Sequence, residues 1–90
     1  HQIRVNMVNP DAVFEESNLW SKEIRQQRAA AHSVPVNELE HYYQNRNLLR
    51  KKISGADVAE AVLFLASDRA AATTGAVIPV DGGVTGAFPR

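Results

Sequence analysis

The sequence predicts an α/β fold, and within that class a piece of a larger parallel-sheet domain. Three observations predict it. Two short apolar strands lie near opposite ends of a 90-residue chain. Three helical patterns separate them, and a long helical crossover favours parallel strands with a right-handed connection. The third pattern is apolar almost all round, as a helix buried on most sides is. Two strands cannot cover it, because a parallel sheet needs both of its faces covered. The chain is therefore expected to carry the last two strands of such a domain plus about three helices.

Each element has its own signal. Ile3 to Val8 reads as a strand, with Ile3, Val5 and Met7 on one side at period two. Asn9-Pro10-Asp11 is expected to stop it. A polar stretch then leads into a helix over about Trp20 to Ala31, with Ser17 or Ser21 as cap. His32 to Pro35 ends that helix, and a second is expected over about Val36 to Arg46. Asn45 to Lys52 reads as a basic loop or ragged helix end. Ser54-Gly55-Ala56-Asp57 forms a capping box ahead of a third helix, Ala56 to Ala66. Thr73-Thr74-Gly75 is a turn, and Ala76 to Val80 a short strand placed at a sheet edge by Pro79. Asp81-Gly82-Gly83 closes it, and Val84 to Arg90 is a tail.

Composition excludes several functions. Ten Lys and Arg balance ten Asp and Glu, for a formal net charge of +0. Binding nucleic acid by bulk charge is not expected. The chain has no Cys, hence no disulfide, thiolate metal site or Cys nucleophile. Its three His, at positions 1, 32 and 41, have no ligand spacing, so no metal is expected. No apolar run approaches the roughly 20 residues of a membrane span. His1-Gln2-Ile3-Arg4 is not a signal peptide and lacks an initiator Met, so the chain is expected to be an excised or processed form or a piece of something longer.

Three local patterns suggest chemistry, and each has a plainer explanation. Asp81-Gly82-Gly83-Val84-Thr85-Gly86 follows a strand, but its spacing is not that of a dinucleotide loop and no helix follows. A tight strand exit with glycines at positive φ accounts for it. Tyr42 and Arg46, one helical turn apart, could transfer a proton, yet amphipathic packing explains them as well. The cations from Arg46 to Lys52 could bind phosphate or simply be solvated. No catalytic residue is assigned to this chain.

Taken together, Ile3-Arg4-Val5-Asn6-x-Val8-Asn9-Pro10, Asp57-Val58-Ala59, Phe64-Leu65-Ala66-Ser67-Asp68, Thr74-Gly75 and Val80-Asp81-Gly82-Gly83 resemble the C-terminal part of the short-chain dehydrogenase/reductase family. The resemblance implies a Rossmann-type, doubly wound parallel sheet. Residues 1–90 would supply its sixth strand, a helical substrate-cover insert at about 15–47, its last long helix and its edge strand. The nucleotide-binding half, with the glycine loop, the Ser and the Tyr/Lys pair, would precede His1. The resemblance places Pro10, Asp11 and Val13 at the nicotinamide end of the cofactor cleft. Asp11 stands where the family has Gly, and Glu15 where it has Thr. Phe14 and Trp20 would belong to the substrate cover.

A narrower resemblance runs through Asn9-Pro10-Asp11-Ala12-Val13, Glu38-Leu39-Glu40-x-Tyr42-Tyr43 and Ala87-Phe88-Pro89-Arg90. These are similar to the dehydrogenase part of bifunctional rhamnulose-1-phosphate aldolase/lactaldehyde dehydrogenases. The resemblance implies a cytoplasmic oxidoreductase, a homo-oligomer, using NAD or NADP on a small alcohol or aldehyde such as lactaldehyde. The chain alone is expected to be inactive and to hold no cofactor. A non-catalytic helical interaction module on the same fold remnant is the alternative. Lacking partners, the cover is expected to be the loosest region.

Overall fold

The computed structural model describes residues 1–15 and 18–88. Two four-residue strands, β1 (Met7–Pro10) and β2 (Val77–Val80), pair in parallel with Met7 opposite Val77 and Pro10 opposite Val80. Three helices lie between them: α1 (Lys22–Ala31), α2 (Leu39–Asn45) and α3 (Gly55–Ala66). A 3-10 turn at Val36–Glu38 leads into α2, and others follow α3 and β2.

β1 starts four residues later than expected and runs through Pro10. Its register explains the shift, since β2 offers strand partners only from Val77 onward. Pairing still reaches back, with Gly75 N–H donating to Val5 O at 2.7 Å. It also reaches forward, with Asp11 N–H donating to Val80 O at 3.1 Å. Asn9 and Pro10 therefore do not end the ladder. Pro10 needs no amide donor here, because the neighbouring Asp11 supplies the bond.

Arg4 and Asn6 tie β1 to the far end of α3. Arg4 donates to the carbonyls of Leu65 (2.8 Å), Ser67 and Thr73, where a cation favours a helix C-terminus. Asn6 donates to Thr73 O and accepts from Ala76 N–H at 2.9 Å.

The helix starts match the cap signals. Ser21 caps α1 by accepting from Ile24 N–H, while Ser17 lies outside the described residues. At α3 the full box is present: Ser54 Oγ accepts from Asp57 N–H, and Asp57 Oδ2 accepts from Ser54 N–H at 2.9 Å. Those hydrogen bonds, main-chain first, hold the Asp57 carboxyl below its usual 3.8, and Lys51 nearby adds to the effect. A lowered folded value means that the box stabilises fully above the usual value. That stabilisation is lost as pH falls through the folded value. Helical circular dichroism should therefore fall as the pH is lowered below the usual 3.8, and Asp57→Asn should flatten that response. Ser54→Ala should cost about 0.5–2 kcal/mol in chemical denaturation.

Burial is distributed otherwise than expected. The core cluster of Phe14, Ala29 and Leu39, with Ala12, Trp20, Val34 and Tyr43 packed against it, gathers between the segment leaving β1 and helices α1 and α2. Its aromatic rings support one another: Phe14 lies 4.3 Å from Trp20, and Tyr43 meets both edge-on. α3 packs on both strands, yet Val62, Leu63 and Phe64 stay exposed, as do Ile3, Val5 and Met7. The radius of gyration is 15.3 Å, against about 12 Å for a compact chain of this length. The sheet half thus carries apolar surface that two strands cannot bury.

Candidate functional site

Parallel strands bring their C-terminal ends to one edge, where open α/β sheets bind ligands. The segment leaving β1 there borders an open cleft of about 450 Å³. Pro10, Asp11, Ala12 and Val13 form one part of its lining, and Leu19, Trp20, Arg28, Tyr43 and Arg46 form the rest. Among the described residues, no hydrogen bond reaches the main chain of Ala12 or Val13.

The structure brings four of the five sequence-assigned residues to this cleft: Pro10, Asp11, Val13 and Trp20. Phe14 is the exception. It is 7% exposed and lies in the core cluster against Trp20. Its ring packs between Trp20 and Tyr43 rather than facing the cleft, because an aromatic there gains more from burial than from water.

Sequence reasoning missed the partner of Asp11. Arg46 Nη2 donates to Asp11 Oδ1 at 2.6 Å, and the Arg46 guanidinium lies 4.3 Å from the Tyr43 ring centre. Arg46 thus sits with Tyr43 rather than Tyr42, whose ring packs against His32 at 4.6 Å. The Tyr42/Arg46 proton-transfer pair is not formed. The available signal was the spacing of three from Tyr43 to Arg46, which places them on one helix face. An exposed ion pair contributes only about 0–1 kcal/mol, so the pair matters more for orientation than for stability.

The remaining cations of that loop are largely neutralised. Lys52 pairs with Glu15 at 2.9 Å and Lys51 with Asp57 at 3.4 Å. The hydrogen bond to Glu15, then the charge of Glu40, hold the Lys52 ammonium above its usual value. A phosphate patch from Arg46 to Lys52 therefore does not form as a unit. The loop is anchored by Asn47, 3% exposed, whose side chain donates to Lys51 O and accepts from Lys51 N–H. Leu48 and Leu49 N–H donate to the carbonyls of Gly83 and Gly82 at 2.9 Å. Gly82 and Gly83 have φ of 69° and 89°, so the double glycine is a strand exit that also grips the loop after α2. Among the described residues, no group of three or more His, Asp or Glu could hold a metal ion, and no helix is long and apolar enough to cross a membrane.

A parallel strand pair crossed by helices, with a cleft at its C-terminal edge, defines a Rossmann-type α/β protein. Comparison with known proteins narrows the class. The family model described as Enoyl-(Acyl carrier protein) reductase matches residues 1–85. The chain belongs to the short-chain dehydrogenase/reductase family. It is 48% identical over 88 residues to an uncharacterized oxidoreductase, YuxG, of Bacillus subtilis, covering 98% of this chain and 13% of that protein. It is 38% identical over 84 residues to carbonyl reductase [NADPH] 2 of Sus scrofa, covering 92% and 29%. A short chain dehydrogenase family protein of Francisella tularensis superposes with a TM-score of 0.72 at 33% identity, covering 94% of this chain and 34% of that one. The chain thus spans about a third or less of each.

Proposed function

We propose that this chain is the C-terminal part of an NAD(P)-dependent oxidoreductase that transfers hydride between a nicotinamide and a small alcohol or aldehyde. The observation that carries this is the cleft where the segment leaving β1 meets α1 and α2, in a chain whose relatives are oxidoreductases. The residues present fit a nicotinamide. Its carboxamide needs main-chain partners, and Ala12 and Val13 have theirs free of described protein bonds. Val13 would meet the carboxamide through its backbone, Pro10 would flank the ring, and Asp11 would hold Arg46 at the opening. Trp20, propped by Phe14, would exclude water from the cover side. When bound, the cofactor supplies or accepts the hydride, and the protein orients it.

The narrower resemblance makes lactaldehyde the proposed substrate and an aldolase part the proposed companion. The share of YuxG covered, 13% against 29% for carbonyl reductase, supports the companion part. It makes YuxG more than twice as long, with room for a further domain. We place the glycine loop and the acid/base residues before His1, and the enzyme in the cytoplasm as a homo-oligomer.

The test is to express the reading frame that contains this chain and assay NAD+ and NADP+ reduction with lactaldehyde and propane-1,2-diol. Nicotinamide-dependent turnover of either supports the proposal. Inactivity on both and on other small alcohols and aldehydes overturns it. For the 90 residues alone, an NADH fluorescence titration is expected to show no saturable micromolar binding.

A further inference from the structure

The cleft carries more positive charge than a neutral substrate needs. Arg28 and Arg46 both line it, and among the described residues Asp11 is the one acidic side chain in its lining. The described lining is therefore net positive in a chain whose formal charge is +0. We infer that Arg28 and Arg46 form an anion subsite, and that the substrate or product is a small hydroxy or carbonyl compound bearing a carboxylate or phosphate.

Guanidinium partners separate these two arginines from Arg4 and Arg25, and their place in the cleft separates them from Arg50 and Arg69. Arg4 is spent on the carbonyls at the end of α3. Arg25 donates to Trp20 O and faces Glu40. Arg46 gives one N–H to Asp11, while the Arg28 guanidinium has no hydrogen bond or ion pair among the described residues. A guanidinium has five donors in a fixed fork. Arg46 lies over the Tyr43 ring and is pinned by Asp11, so its plane is held while its other donors remain available. That is the preorganised arrangement that suits two-point recognition of a carboxylate or phosphate. Val13, Leu19 and Trp20 in the same lining suit a short carbon skeleton. Asp11 acts as a positioning residue, and it links the anion subsite to the segment leaving β1.

This inference rests on the proposed oxidoreductase cleft, but its test needs neither cofactor nor turnover, so the two can fail separately. The arginine Nε–Hε resonances of the 90-residue chain are followed by NMR at fixed ionic strength. The probes are lactate, inorganic phosphate, chloride and propane-1,2-diol, the last being neutral with the same three-carbon skeleton as lactate. Lactate or phosphate is expected to shift Arg28 and Arg46 saturably, and chloride and the diol are not. Tighter binding of lactate assigns a carboxylate, and tighter binding of phosphate assigns a phosphate ester. Arg28→Met and Arg46→Lys should each weaken binding about tenfold, the scale of one charge-assisted hydrogen bond. Arg28 is exposed, so its variant should fold, and Arg69→Met beyond α3 should change nothing. Equal, unsaturated shifts with every anion, or equal binding of the diol, would overturn the inference.

Discussion

Leu39→Ala is expected to cost about 2–5 kcal/mol, the range for emptying a buried leucine site. Leu39 is 0% exposed and heads α2, where it packs with Phe14 and Ala29. Little else can close the gap, because the rest of that cluster is only partly buried. The damage should be local. α3 and the strands share none of this cluster, so α1 and α2 should loosen while those persist. The single Trp reports on it: Trp20 emission should shift to the red while amide exchange protection in α3 holds. An unchanged Trp20 spectrum with an unchanged denaturation midpoint would show that the cluster does not hold α1 and α2 together.

Gly82→Ala is the second large effect. An ideal Cβ at Gly82 would lie 2.5 Å from Asn47 Oδ1, closer than packing allows. Asn47 is buried and holds Lys51 through two hydrogen bonds. Displacing it leaves buried polar groups unpaired, at about 1–3 kcal/mol. The left-handed backbone at φ 69° adds about 1–2 kcal/mol for any side chain. Gly75 supplies the control. Its φ is 74°, and nothing lies within 4 Å of its Cβ position. Gly75→Ala should therefore show the backbone cost alone. Asn47→Ala combined with Gly82→Ala should cost less than the two separately, because they share one contact. Equal destabilisation by the two glycine variants would rule out the Asn47 clash.

Much of this architecture was legible because its signals are local. Ser54 and Asp57 announce α3, since a capping box needs only four consecutive residues. Ser33 is subtler. It ends α1 at φ 58°, with Val34 N–H donating to Ala29 O, although glycine is the usual residue at such a position. The parallel pairing of β1 and β2 followed from the helices between them. What escaped was set by contacts distant in sequence. The register of β1 depends on where Val77 begins. The burial of Phe14 depends on Trp20 and Tyr43 meeting around it. Arg46 looked like a helix-end cation because Asp11, 35 residues away, is brought to it only by the fold. The cleft was found through its strand-end position, while its charge was not.

Pro79 has a consequence for how copies of this chain can meet. The β1 amides of Met7 and Asp11 reach Ala76 and Val80, so alternate β2 residues turn toward β1 and Val77 and Pro79 turn outward. The outward edge therefore lacks a donor at its centre. A strand from another copy could not continue the ladder there without losing a bond. On the far side of β1 the same alternation leaves a donor missing only at the last residue, Pro10, while Val8 still offers one. Growth by edge pairing is thus polarised: it can start at β1 and cannot readily propagate past β2. Two copies joined through β1 would present Pro79 at both outer margins, giving a finite pair rather than an open fibril.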